Sequence, residues 1–230
     1  AGFGRGVYGT VSLYIAIYLL GSKDLKLGLL LPMGIGTAVG TLLVNIVLKK
    51  LSTKKTFIIF CLYGASSLSI LFLVSKGIGF NKGLIIPFLI LNFFCGLQHG
   101  NTNTTPNIMI ADCVDEIEYK TGKRQDGIAY AGYGLFSKVA SALTKGLGPW
   151  LFYTWSQYAV SQDPNVAYAA QSDFTLKRML MIYTIIPAIF VVLQAVPIFF
   201  YDNVGKKKEM ITAALAERRA KADAETEETA

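Results

Sequence analysis

Along most of the chain, charge-free apolar stretches alternate with short segments rich in lysine and carboxylate. Residues 27–48, 56–75, 83–111 and 179–201 carry no charged side chain. Residues 6–22 form a shorter charge-free run, and 127–152 is apolar apart from Lys138 and Lys145. Crossing hydrocarbon about 30 Å thick takes about 20 residues of helix. In lipid the backbone must satisfy its own hydrogen bonds, so runs of this length are helices. The ten-residue alternation of a membrane barrel is absent. The pattern therefore predicts an all-α membrane protein, a six-transmembrane-helix bundle over 1–202 with spans at about 6–22, 27–48, 56–75, 83–111, 127–152 and 179–201. A charged tail follows at 203–230. Gly34, Gly36 and Gly40 in the second span include a Gly-x-x-x-Gly pair, which lets helices approach closely.

Composition supports lipid as the solvent. The 230 residues are 53% hydrophobic and 16% charged, against about 25% charged in soluble domains. Mean hydropathy is +0.45. The net charge of +7 sits in gaps between apolar runs, where it anchors membrane loops, so it does not point to nucleic acid. Cys61, Cys95 and Cys113 lie in or beside apolar runs, and their spacing suits small apolar packing rather than a metal or disulfide set. The chain begins with Ala1, without a signal-peptide pattern, and the expectation is a cut N-terminus.

Loop charge sets the orientation. The segments after the second and fourth spans, together with the tail, hold thirteen Lys and Arg residues: Lys49, Lys50, Lys54, Lys55, Lys120, Lys123, Arg124, Lys206, Lys207, Lys208, Arg218, Arg219 and Lys221. The segments after the first, third and fifth spans hold six: Lys23, Lys26, Lys76, Lys82, Lys177 and Arg178. The first set is expected on the cytoplasmic side. That makes a multi-pass protein of the plasma (inner) membrane with a cytoplasmic C-terminus. The longest outer loop, 153–178, reads as a solvated connection. The tail is rich in helix formers and reads as a solvated helix or a docking segment, with Lys206–Lys208 near lipid headgroups.

Ionisable groups in the hydrocarbon are costly, so their presence points to function. Lys138 lies eleven residues into the fifth span, about 16 Å deep, while Lys145 is close enough to the far surface to snorkel. Tyr130, Gly134, Ser137 and Ser141 fall on or beside the same stripe, which is expected to face a cavity. In the fourth span Asn92, His99, Asn103 and Asn107 share a face at spacings of seven, four and four. Asn103 lies at about the depth of Lys138. Amides and hydroxyls at mid-depth suit a poly-hydroxylated solute, or equally interhelical hydrogen bonding. Pro106 interrupts the backbone ladder nearby.

The segment 112–127, expected as an inner loop, places Asp112, Asp115, Glu116, Glu118 and Asp126 beside Lys120, Lys123 and Arg124. Carboxylates alone suggest acid–base chemistry, but no nucleophile, metal-ligand set or phosphate-binding loop accompanies them. His99 is the only histidine and lies thirteen helical residues from Asp112, about 20 Å away. An enzyme is not expected, nor a cofactor or metal site in this part of the chain. A charge network that forms in one conformation and breaks in another suits a gate.

The motif Asp112-x-x-Asp115-x-x-Glu118-x-x-Thr121-Gly122-x-Arg124 resembles the loop between helices ten and eleven of the glycoside–pentoside–hexuronide:cation symporters. These are the melibiose-permease relatives within the major facilitator superfamily. Ile128-Ala129-Tyr130 followed by Lys138 resembles the start of helix eleven, and Pro187 falls where the last helix carries proline. The resemblance is clearest over about 100–145. It implies the C-terminal half of a twelve-helix transporter that performs cation-coupled symport of a sugar or glycoside by alternating access. By position it implies substrate contacts at Asn103, Tyr133, Gly134 and Lys138, coupling through Lys138, and a cytoplasmic gate of Asp112, Asp115, Glu118 and Arg124. The sequence departs from the family at Glu116, where tyrosine is usual, and at Asn103 and Tyr133, which bear on substrate choice. The coupling cation (Na+, H+ or Li+) is expected mainly in an N-terminal six-helix half that this chain lacks. A non-transporting sugar sensor on the same scaffold is the alternative reading.

Overall fold

The computed structural model describes residues 11–19, 21–79, 81–163 and 168–228. Among them every regular element is helical. The expected first span, 6–22, lies partly outside the described residues. Its described part is helical from 11 and becomes a π-turn at Ile15–Leu19. Then come α1 (Leu25–Leu48), α2 (Thr53–Ile78), α3 (Ile85–Thr121), α4 (Asp126–Trp150), α5 (Asp173–Tyr183), α6 (Ile185–Leu193) and α7 (Lys206–Glu228). Among the described residues, four stretches are long and apolar enough to cross a membrane: Leu25–Leu48, Thr53–Ile78, Lys82–Thr121 and Asp173–Phe200. α4 is 25 residues long, but its lysines, glycines and hydroxyls make it less apolar than those four.

α1, α2 and α3 begin and end close to the expected boundaries, with one large exception. α3 does not stop at residue 111. It runs 37 residues, about 55 Å, and carries the charged segment on its last turns. Glu116 and Lys120 form an i,i+4 pair at 2.7 Å there, which supports helix rather than loop. The helix ends at Gly122, whose φ of 70° is left-handed and whose N–H donates back to the Glu118 carbonyl. The connection to α4 is therefore only 122–125.

The last expected span, 179–201, also differs. It starts earlier, at Asp173, because Ser172 caps the helix by accepting from the Thr175 N–H. It then breaks at Thr184, which separates α5 from α6. Pro187 has no N–H for the Tyr183 carbonyl, and its ring crowds that carbonyl. The chain ends this span as a short 3-10 turn, Pro197–Phe200.

Close packing holds α1 against α3. A Cβ on Gly36 would lie 2.2 Å from the Phe93 carbonyl oxygen, and one on Gly40 2.3 Å from that of Leu97. From the other side, a Cβ on Gly96 would lie 2.3 Å from the Met33 carbonyl oxygen, and one on Gly100 2.3 Å from the Thr41 nitrogen. Two Gly-x-x-x-Gly pairs thus interlock, backbone on backbone. α2 covers another side of α3, where Gly64 makes room for the Gln98 side chain. The apolar core, which includes Leu68, Leu71, Phe88, Cys95, Met179 and Tyr183, fills the space among α2, α3 and α5. Cys61 and Cys95 are buried as expected of packers, whereas Cys113 is exposed.

Candidate functional site

α3 positions most of the candidate chemistry, and its neighbours divide it into two regions. From residue 95 to 102 it is buried on every side, because α1 and α2 both cross there. His99 lies within this packed region, and Asn92 is buried one turn before its start, where the Tyr183 hydroxyl donates to Asn92 Oδ1 at 3.1 Å. Beyond it α3 opens, so Asn103 and Asn107 are exposed. The four share a helical face, as their spacing requires, but not one environment. The two amides most deeply placed beside them, Gln98 and Asn101, carry no periodic signal in the sequence. Gln98 donates to Thr102, and Asn101 accepts from Thr105 at 2.6 Å.

α4 stands largely clear of the bundle. Only Thr144 and Gly148 are buried along it. Tyr133 and Lys138 are exposed, and open space surrounds Gly134. Among the described residues Tyr133 and Lys138 have neither a hydrogen bond nor an ion pair. Asn103, Tyr133 and Lys138 therefore stand on exposed surface, with Gly134 half-exposed among them.

The charged segment at the end of α3 forms a cluster of ion pairs with the start of α4 and with the tail. Arg124 is the hub: it reaches Asp115 at 3.0 Å, Glu118 at 2.9 Å and Asp126 at 2.6 Å. The carboxylates of Asp126, Glu118 and Asp115 hold its guanidinium even further above neutrality than usual. Asp112, the most buried carboxylate of the group, accepts from Tyr201 at 2.7 Å and pairs with Lys208 at 2.7 Å. Its backbone carbonyl accepts from Asn203. Burial, then the Asp112 hydrogen bond, pushes the Tyr201 phenol up.

The sequence reading did not anticipate the tail's part in this cluster. α7 folds back along α3, pairing Lys208 with Asp112, Lys207 with Glu116 at 2.9 Å and Arg219 with Glu118 at 2.9 Å. Arg218 donates to the Tyr119 carbonyl and sits over the Tyr119 ring. Ile211 and Leu215, four residues apart on α7, are buried. One signal was present in the sequence, the apolar i,i+4 pair of Ile211 and Leu215. A further anchor at this end is Lys54, whose amine donates to the Phe199 and Tyr201 carbonyls and so caps the end of the last span.

At the opposite end an aromatic cluster of Tyr14, Tyr18, Phe152, Tyr153 and Tyr158 joins the first described helix to the turn after α4. Gln171 ties the long loop together through Ala159 and Ala169. The described part of 153–178 is thus held by specific bonds rather than being a free connection.

Long apolar helices, a glycine-interlocked pair and a charged end together describe a polytopic membrane protein, and sequence comparison identifies its kind. The model of the MFS/sugar transport protein family matches residues 1–203. The chain belongs to that family. A candidate sulfoquinovose importer of Escherichia coli (strain K12) is 32% identical over 146 residues, 62% of this chain and 30% of that protein. The uncharacterised symporter YnaJ of Bacillus subtilis (strain 168) is 34% identical over 110 residues, 48% of this chain and 22% of that protein. The inner membrane symporter YicJ of E. coli K12 is 24% identical over 190 residues, 83% of this chain and 38% of that protein. The chain thus spans well under half of the length of these relatives. They are transporters and symporters, in agreement with the resemblance read from residues 100–145.

Proposed function

We propose that this chain is the C-terminal half of a cation-coupled sugar or glycoside symporter, whose solute site is completed by a second six-helix half. The observation that carries this reading is the family match across 1–203. The open face of α3 and α4 supports it: a transporter site built between two halves leaves each half with polar groups on an exposed, membrane-deep surface. Asn103, Tyr133, Gly134 and Lys138 are such a set. In this reading Asn103 and Tyr133 hydrogen-bond the solute, Gly134 leaves it room, and the Lys138 ammonium couples solute and cation occupancy through its charge. The Na+, H+ or Li+ binds mainly in the other half. Two relatives are named for sulfonated solutes, sulfoquinovose and 2,3-dihydroxypropane-1-sulfonate. A lysine with no carboxylate partner among the described residues suits an anionic sugar, so sulfoquinovose belongs in the first panel tested.

The cluster of Asp112, Asp115, Glu118 and Arg124 acts as the inner gate, on the cytoplasmic side, with α7 as part of the closure. Its ion pairs hold the inner end shut, and their exchange accompanies opening.

The test is radiolabelled solute uptake by the whole transporter in energised vesicles, comparing wild type with Lys138→Ala. Coupled accumulation is expected to fall by at least tenfold, the scale of about 1.4 kcal/mol or more of lost coupling. Wild-type accumulation by the variant would remove Lys138 from the coupling role.

A further inference from the structure

Beside the charge cluster, a groove of about 640 Å³ runs between α7 and the connection from α1 to α2. Lys49, Lys50, Leu51 and Ser52 form one wall; Lys208, Glu209 and Ala213 belong to the other. Most cations at this end are already engaged. Lys54 caps backbone carbonyls, and Lys207, Lys208, Arg124 and Arg219 hold carboxylates. Lys49 and Lys50 differ: both are exposed, and among the described residues neither amine has an ion pair. The Ser52 hydroxyl oxygen accepts from the Lys55 N–H at the start of α2, which leaves its hydrogen free to donate into the groove. Glu209 is the one carboxylate in the lining.

Position identifies the ligand. The charge-free stretch of α1 ends at Leu48, so Lys49 and Lys50 stand where hydrocarbon gives way to headgroups. Leu48 and Leu51 supply apolar wall beside them. Two free amines, a hydroxyl donor and an apolar margin at that depth match a lipid phosphate, whose acyl chains remain in the bilayer. We propose that this groove binds the headgroup of an anionic phospholipid, with Lys49 and Lys50 pairing with the phosphate oxygens and Ser52 donating to them. Because α7 forms the facing wall, an occupied groove bridges the α1–α2 connection to the docked tail and favours docking. The inference rests on α1 crossing a membrane and is independent of the sugar reading, since a chain that moved no solute would still show it.

The test uses the full chain in nanodiscs of phosphatidylcholine containing graded phosphatidylglycerol, with bound phosphatidylglycerol counted by native mass spectrometry. Each lysine contributes about fivefold at the headgroup layer, so Lys49→Gln with Lys50→Gln is expected to weaken binding about twenty-five-fold. The charge-preserving pair Lys49→Arg with Lys50→Arg should retain it, which separates lost charge from lost fold. Glu209→Gln should strengthen binding. Lys26→Gln, at the other end of α1, should leave it unchanged. In a second arm, millimolar inorganic phosphate is added as competitor, and no displacement is expected. Displacement by free phosphate, an equal loss in Lys26→Gln, or no loss in the Lys49/Lys50 variant would each overturn the proposal.

Discussion

At the scale of single residues, glycine decides where helices meet. Gly96 faces the Met33 carbonyl with no space for a methyl group, whereas Gly34, two residues from the contact on α1, has nothing within 4 Å of its would-be Cβ. Gly96→Ala must push the two backbones apart, which costs about 1–3 kcal/mol as for other overpacked sites. Gly34→Ala should be neutral or slightly stabilising, since alanine is the better helix former. Thermal unfolding in detergent measures both, and the contrast is the prediction: similar melting shifts for the two variants would mean that α1 and α3 are not interlocked. The Gly-x-x-x-Gly pair of α1 was legible from sequence. Its partner pair on α3, Gly96 and Gly100, is hidden among polar residues, Gln98, His99 and Asn101, whose amide and imidazole chemistry dominates that stretch.

At the scale of elements, α7 is held largely by charge. Lys207 depresses the Asp202 carboxyl below its usual range through a 2.8 Å hydrogen bond, and Asp202 and Glu116 raise the Lys207 ammonium above its own. A depressed carboxyl contributes stability above its unfolded pKa, near 3.9, and loses it as pH falls through the lower folded value. A raised ammonium contributes fully below its unfolded pKa, near 10.4, and loses it only as pH rises through the higher folded value. Docking of α7 should therefore be flat from about pH 5 to 9 and weaken below about pH 4. It should also weaken from 0.05 to 1 M salt, because exposed pairs are screened. Mobility of a spin label at Ala220, on the exposed side of α7, reports both effects. A label whose mobility rises steadily between pH 6 and 8 would contradict this account. The same element shows why the docking of the tail on α3 was not legible in the sequence. Its helix propensity is local and visible, but its partners lie about 100 residues earlier in the chain, and nothing in the order of residues pairs Lys208 with Asp112 or Arg219 with Glu118. Likewise 112–121 reads as loop because charge marks the end of the hydrocarbon, yet charge does not end a helix, and Gly122 does.

At the scale of the whole molecule, the packed and open sides of the bundle differ in kind. α2, α3, α5 and α6 enclose the core, while α4 offers one stripe of Tyr130, Gly134, Ser137, Lys138, Ser141 and Lys145, and other sides of Leu135, Phe136, Val139 and Leu143. All of it is exposed or half-exposed in this chain, so exposure alone cannot separate a solute-facing side from a lipid-facing one. Chemistry can, because water reaches a polar stripe that lines a cavity and does not reach leucines in acyl chains. Single cysteines placed in the whole transporter at Ser137 and Ser141 should react with a membrane-impermeant maleimide, since thiolate forms only where water has access. Those at Phe136 and Leu143 should react at least tenfold more slowly. Adding the transported sugar should protect position 137, one residue from Lys138, more than position 141. Uniform reactivity around α4 would mean that this helix is solvated on all sides, and the open face would then lose its claim to be half of a solute site. Fast labelling at Phe136 and Leu143 with silence at the serines would reverse the helix. The second half would then meet the leucine side, leaving Lys138 facing lipid, the arrangement that the cost of a membrane-buried ammonium makes least stable.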